Sequence, residues 1–410
     1  MFHFSNKSRS PAGILIKFGG LFVNSGIPLR VEMKEMEGTF SNETNHTSSM
    51  NGSTAPLPPT FPEYLHQPLW AHVFQITLWS TVVFLGVIGN LLVCTVILRR
   101  PRMKTTMNYY LLSLAVADLG VLILIYPVAV LKYLRPFRWV LGKPACLFMV
   151  PTQEIFFGSS IWSITAIAIE RYRNIIGSKR YQLNRGSRTT TWLVIMGVWL
   201  ASFLVSCVPL YPVITYEPSI PLCYPDWSDN YGGYAVFVSY SVALIVVWYA
   251  LPLSVIAFTY IRIKNRVHRS AVFRQSMSIG DEKEETLSFQ APTNHDRSRQ
   301  RIWRQSNKAR QILTPLVVLF AVTMFPLTAF RLLILIKPKV WTSPYYNLLM
   351  GQVTLFVMVN SSANPLVYYI TSKEFKDALK ELFKKRLSQS WRQCSDKGGK
   401  ASSISRTTGV

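Results

Sequence analysis

Residues 64–98 read YLHQPLWAHVFQITLWSTVVFLGVIGNLLVCTVIL, a run without a single Asp, Glu, Lys or Arg, and Arg99-Arg100 follow at once. A helix crossing the hydrocarbon of a bilayer needs about 20 mostly apolar residues, so this run can span a membrane with length to spare. The pattern recurs along the chain. Thr189–Tyr216, Asn230–Ile261 and Val340–Ser372 also lack formal charge, and Gln311–Phe330 lies between Arg310 and Arg331. Two more apolar stretches hold single acids: Thr105–Leu131 contains Asp118, and Pro144–Ile169 contains Glu154 before Glu170-Arg171 closes it. All seven spans are expected to be helices, because a lipid-facing segment must satisfy its own backbone hydrogen bonds. The short alternating segments of an outer-membrane barrel do not occur. The predicted fold is an all-α membrane protein, a seven-transmembrane-helix bundle with a short amphipathic C-terminal helix.

Composition agrees. Only 16% of the 410 residues are charged, where a soluble domain carries about 25%. The charges are lopsided, 44 Lys+Arg against 20 Asp+Glu for a net +24. Most of that excess falls in the loops after spans 1, 3 and 5 and in the segment after span 7. The positive-inside rule therefore puts those segments in the cytoplasm and the amino terminus outside. The basic balance reads as topology and as a surface for anionic lipid; nucleic acid is not needed to explain it. Asn42-Glu-Thr, Asn45-His-Thr and Asn51-Gly-Ser are glycosylation sequons on the side predicted to be extracellular. The expected organisation is an extracellular glycosylated tail over 1–69 and a seven-span domain over 70–371. That domain includes a largely disordered third cytoplasmic loop at 264–308. An amphipathic membrane-surface helix at 372–387 and a disordered cytoplasmic tail at 388–410 complete the chain. Phe375, Leu379, Leu382, Phe383 and Leu387 recur at helical spacing among lysines in that surface helix. Cys394, beyond it, is a candidate palmitoylation site.

With one marker per helix, the chain resembles the rhodopsin-like (class A) G-protein-coupled receptors from Trp70 to Leu387. Span 1 has Gly89-Asn90, span 2 Leu114-Ala-Val-Ala-Asp118, and span 3 begins at Cys146 and ends in Glu170-Arg171-Tyr172. Span 4 has Trp199, span 5 Pro252 and Tyr260, span 6 Phe320 and Pro326, and span 7 Asn364-Pro365-Leu-Val-Tyr368. Any one of these arises by chance; their order on seven spans does not. The resemblance implies a plasma-membrane receptor, not an enzyme. Its expected partners are a heterotrimeric G protein, arrestin and receptor kinases, and a disulfide is expected between Cys146 and Cys223.

An acid at membrane depth needs partners. The resemblance supplies them for Asp118: Ser160, Asn360, Ser361 and Asn364 match the family's sodium pocket, with Asn90 nearby. Sodium is then an allosteric ligand and no other cofactor is expected; a structural polar network around protonated Asp118 is the alternative. The activation switch is expected to comprise Glu170, Arg171, Tyr172, Tyr260, Phe320, Met324, Pro326, Pro365 and Tyr368. The prolines permit bends, and Tyr260 with Tyr368 is expected to face Arg171 in the active arrangement. Met324 departs from the family, which usually carries Trp there, so Phe320 or Phe325 could take over part of the switch.

The ligand is read partly by exclusion. Gln153 stands where amine receptors carry Asp, and span 7 has no lysine for a retinal Schiff base. Gln153, Pro127 and paired-strand character in the second outer loop resemble neuropeptide receptors, which implies an extracellular peptide ligand. Candidate contacts are Gln153, Glu154, Phe157, Arg331 and Thr354. Glu154 can meet a ligand cation and Arg331 a carboxylate or terminal amide, or the two can pair with each other. Trp139, Trp227 and Trp341 read as interface anchors or loop packing. A small-molecule or lipid receptor is the alternative within the class. A transporter would need internal repeats or a polar path, and neither is found.

Overall fold

The computed structural model describes residues 67–135, 138–176, 188–219, 221–227, 233–281, 294–382 and 384. The three sequons and Cys394 lie outside them. Span 1 is Leu69–Arg99, span 2 Thr106–Leu134 and span 3 Val150–Ile176. Span 4 is Arg188–Ser202 continued through Leu210, span 5 joins Gly233–Ile245 to Leu251–Asp281, span 6 belongs to Asn294–Ile336, and span 7 is Tyr346–Thr371. Six of the seven are long and apolar enough to cross a membrane. The exception is span 3, which carries Ser159, Ser160, Ser163 and Glu170 as buried residues. It packs against spans 2, 4, 5 and 6, so protein rather than lipid surrounds much of it and low hydropathy is tolerated.

Three spans share a device. A π-helical turn at Ala145–Met149 precedes Pro151, another at Phe203–Cys207 precedes Pro209, and a third at Val246–Ala250 precedes Pro252. A proline ring clashes with the carbonyl four residues back, and widening the preceding turn relieves the clash without ending the helix. Pro127, Pro315, Pro326 and Pro365 sit inside continuous helices.

The second outer loop forms the expected hairpin. Ile214–Glu217 pairs antiparallel with Leu222–Pro225, Tyr216 opposite Cys223. Cys223 is bonded to Cys146, with Cα atoms 5.6 Å apart. Trp139 and Trp227 are buried around this bridge with Val213 and Ile214. A second apolar cluster joins spans 1, 2 and 7 through Trp79, Leu122, Tyr133 and Met358.

Four sequence expectations change. Span 4 ends at Leu210, and its uncharged run continues into the hairpin. Span 2 runs past Leu131 to Leu134, and span 6 past Arg331 to Ile336. Much of the loop assigned to disorder is helical: the fifth span's helix reaches Asp281 and the sixth begins at Asn294. Residues 294–314 contain neither Gly nor Pro and are rich in Arg and Gln, so helix propensity carries on where hydrophobicity stops. Finally, Phe325 is 60% exposed on the outside of span 6, which removes it from the switch.

Candidate functional site

A cavity of about 350 Å³ opens between spans 2, 3, 5, 6 and 7, within the size range of small-ligand sites. All five residues singled out as ligand contacts line it: Gln153, Glu154 and Phe157 from span 3, Arg331 from span 6 and Thr354 from span 7. The i,i+4 spacing of Gln153 to Phe157 and the i,i+3 spacing of Glu154 to Phe157 put the three on one stretch of helix surface. Glu154 Oε2 lies 3.9 Å from Arg331 Nη2 and accepts no hydrogen bond. The charges face each other but are not latched. Tyr240 lines the same wall and donates to the Ser206 carbonyl at 3.0 Å.

The sequence reading missed several wall residues. Trp227, taken for loop packing, lines the cavity. Lys132, one residue past the Leu131 expected to end span 2, belongs to the last turn of that helix and lines the cavity too, as do Trp79 and Tyr133. The signal for Lys132 was its spacing: it lies two turns beyond Ile125, which also faces the cavity.

Deeper in the bundle Asp118 is fully buried. Ser160 Oγ donates to Asp118 Oδ1 at 2.6 Å and Asn364 Nδ2 donates to Oδ2 at 2.8 Å; Ser361 faces the same carboxylate. Asn90 Nδ2 donates to the carbonyls of Gly86 and Ser361 at 2.9 and 3.0 Å, tying span 1 to span 7. Asn360 departs from the expected set in its bonding: its Oδ1 accepts from Thr323 Oγ1 of span 6 at 3.0 Å. The side-chain oxygens of Asn90 and Asn364 are buried with no hydrogen-bond partner. A carboxylate, hydroxyls and unpartnered amide oxygens form an oxygen donor set that fits a hard cation. Asn90, Ser160 and Asn364 would hold it with Asp118. No cluster of three His, Cys, Asp or Glu suited to a softer metal occurs among the described residues.

The switch residues end the bundle at its opposite face. Glu170 is buried and its Oε1 accepts from Asn174 Nδ2 at 3.0 Å. Tyr172 packs on Phe258 of span 5 with ring centroids 6.0 Å apart. Tyr368 is 2% exposed, its hydroxyl has no partner, and its ring meets Phe375 edge-on at 6.5 Å. In this arrangement Tyr368 therefore holds neither Arg171 nor Tyr260. Phe320 and Met324 are both buried in the main core. The indole absent at position 324 has a counterpart on span 5, where Trp248 fills the notch left by Gly158. Residues 373–382 form the surface helix, and Phe375 and Leu382 anchor it to the core.

The sequence profile described as 7 transmembrane receptor (rhodopsin family) matches residues 89–368. Among individual proteins, the chain is 30% identical to the neuropeptide Y receptor type 2 of Bos taurus over 325 residues, covering 76% of each. It is 28% identical to the receptor of that name in Mus musculus over 76% of each chain. It is 27% identical to the neuromedin-K receptor of Cavia porcellus over 78% of this chain and 67% of that receptor.

Proposed function

The chain belongs to the rhodopsin family of seven-transmembrane receptors, and from that premise we propose that it is a plasma-membrane receptor for an extracellular peptide, activating heterotrimeric G proteins. The observation that carries the reading is the cavity wall. A long, open, amphipathic pocket presents Gln153, Thr354 and a loosely facing Glu154–Arg331 pair among apolar and aromatic residues. Such a wall takes a chain with both polar and aromatic groups. Relatives named as receptors for neuropeptide Y and neuromedin K support the same class of ligand.

Signal transfer then needs two states of one bundle and a ligand that prefers one of them. Peptide in the cavity bears on spans 3, 6 and 7; the prolines at 252, 326 and 365 let spans 5, 6 and 7 bend. Outward movement of span 6 frees Arg171 for the G protein, with Tyr260 and Tyr368 turning toward it. Asp118, Ser160, Asn90 and Asn364 would hold a sodium ion, which would tie spans 1, 2, 3 and 7 together in the resting state. The orientation follows the loop charges, amino terminus outside, and the basic surface helix rests on anionic lipid.

The test is a library of neuropeptides applied to cells expressing the receptor, read by calcium and by cAMP. At least one peptide is expected to give a saturable response that Arg171→Ala abolishes at matched surface expression. A response surviving Arg171→Ala unchanged contradicts the coupling role, and silence of the whole library against a responding lipid panel overturns the peptide assignment.

A further inference from the structure

The cavity has two charged walls, and only one of them is balanced. Its lining contains three charged side chains: Lys132, Glu154 and Arg331. Glu154 and Arg331 face each other. Among the described residues no acid pairs with Lys132. Lys132 is exposed where it borders the cavity, one residue before the buried Tyr133.

Unused hydrogen-bond donors collect on the same side. Trp79 of span 1 is 1% exposed, lines the cavity, and its Nε1–H has no partner. Its ring meets Tyr133 edge-on at 5.2 Å, which sets it beside the end of span 2. One turn earlier, Gln75 is 6% exposed; its Oε1 accepts from Gln352 Nε2 of span 7 at 2.9 Å, while its own Nε2 is unpartnered. A buried donor without an acceptor is unfavourable, so the Trp79 N–H, on a cavity that Lys132 also lines, is a place for an acceptor to bind.

We propose that the wall formed by spans 1, 2 and 7 is a carboxylate subsite, with Lys132 as counter-ion and the Trp79 N–H as a neutral donor. Resting on the reading of the cavity as a peptide site, this assigns the ligand a free carboxylate at its buried end, whether the chain terminus or an acidic side chain. The Glu154–Arg331 pair on spans 3 and 6 is left for a second, uncharged or dipolar part of the ligand. The positive charge of Lys132 selects a carboxylate over an amidated terminus, because an amide brings no charge to meet it.

The experiment uses the full chain in lipid nanodiscs and three small probes read by saturation-transfer NMR. N-acetylphenylalanine carries a terminal carboxylate, N-acetylglutamic acid α-amide a side-chain carboxylate, and N-acetylphenylalaninamide none. At least one acid is expected to bind more tightly than the neutral amide, and which one identifies the source of the carboxylate. Lys132→Gln is expected to weaken that acid roughly tenfold or more, to the level of the amide. Lys132→Arg should restore binding, and Trp79→Phe, which keeps the ring and removes the N–H, should weaken it by a smaller factor. Lys337→Gln, an exposed lysine outside the cavity lining, should leave acid preference in place. Equal binding of acids and amide, no saturable binding of either acid, or loss with Arg331→Gln or Lys337→Gln instead of Lys132→Gln overturns the subsite. Failure here is separable from failure of the peptide reading. A peptide agonist indifferent to Lys132→Gln and to amidation sinks the subsite alone; acid binding without response to any peptide sinks the peptide reading alone.

Discussion

Asp118 and Glu154 are both carboxylic acids inside a helix bundle, and they are compensated by opposite means. Asp118 has no exposed surface and is met by the neutral donors Ser160 and Asn364. Glu154 stands on a cavity wall and is met by a full charge, Arg331, at 3.9 Å. A carboxylate leaving water needs either hydrogen bonds or a counter-ion. The inner site has the hydrogen bonds and keeps the buried side-chain oxygens of Asn90 and Asn364 to spare. The outer site carries its cation within the sequence, at a distance that a ligand can enter. The same chemical group is thus met by neutral hydrogen-bond donors at one depth and by a facing cation of the chain at another.

The two regions are separated on span 3 by Gly158, one turn from Glu154 and two residues before Ser160. A Cβ at Gly158 would lie 2.5 Å from the Trp248 indole, so Trp248 of span 5 packs directly on span 3 at the level between them. Gly158→Leu should therefore break both at once. The expected cost is about 3 kcal/mol or more, since the ring and two helices must move to admit the side chain. Surface expression and the melting temperature of purified receptor measure it, and a near-native Gly158→Leu melt would show that the compartments are not packed through this contact.

Sodium separates the two acids next. Wild-type receptor should melt higher in sodium than in an equal concentration of choline, by about 2.7 kcal/mol where sodium exceeds its dissociation constant a hundredfold. Asp118→Asn should abolish that difference and Glu154→Gln should preserve it. Loss of the sodium response in Glu154→Gln, or its survival in Asp118→Asn, would erase the distinction drawn between them.

Much of this was legible beforehand, and the exceptions share a cause. Seven apolar stretches, five of them without formal charge, are visible because lipid imposes one rule on every residue that touches it. The five cavity residues and the polar core were legible through their resemblance to family motifs. Lys132 was not, because a span bounded by its first charge stops at Leu131, whereas the helix continues wherever an aqueous cavity solvates the charge. Arg331 marks the end of an uncharged run for the same reason yet sits inside a helix reaching Ile336. Trp248 and Gly158 are invisible as a pair: nothing in either local sequence says that a notch on span 3 faces an indole on span 5. Phe325, adjacent to the proline of span 6, points outward, and only the helix rotation fixed by packing could decide that.

The outer pair can be weighed by a double-mutant cycle on Glu154→Gln and Arg331→Gln. Each side chain keeps about a fifth of its surface exposed, which screens the interaction, and the long separation removes the hydrogen-bond contribution. A coupling of about 1–2 kcal/mol is expected, well under the cost of breaking a fully buried pair. Coupling near zero would mean that Glu154 is compensated by water in the cavity and not by Arg331.

The smallest effect belongs to a third carboxylate, and it calibrates the other two. Arg100, just after span 1, donates to Glu381 of the surface helix at 2.6 Å, a far shorter contact than Glu154–Arg331. If distance alone ruled, this pair would be the strongest. But Glu381 is 56% exposed, so solvent and salt screen it, and surface pairs contribute at most about 1 kcal/mol. Arg100→Gln should lower the stability of the receptor by less than about 0.5 kcal/mol and the effect should vanish in high salt. The surface helix should stay docked through Phe375 and Leu382, whose burial does not depend on charge. A melting loss from Arg100→Gln that exceeded the Glu154–Arg331 coupling would invert the order, and with it the claim that depth rather than separation sets the worth of a carboxylate in this bundle.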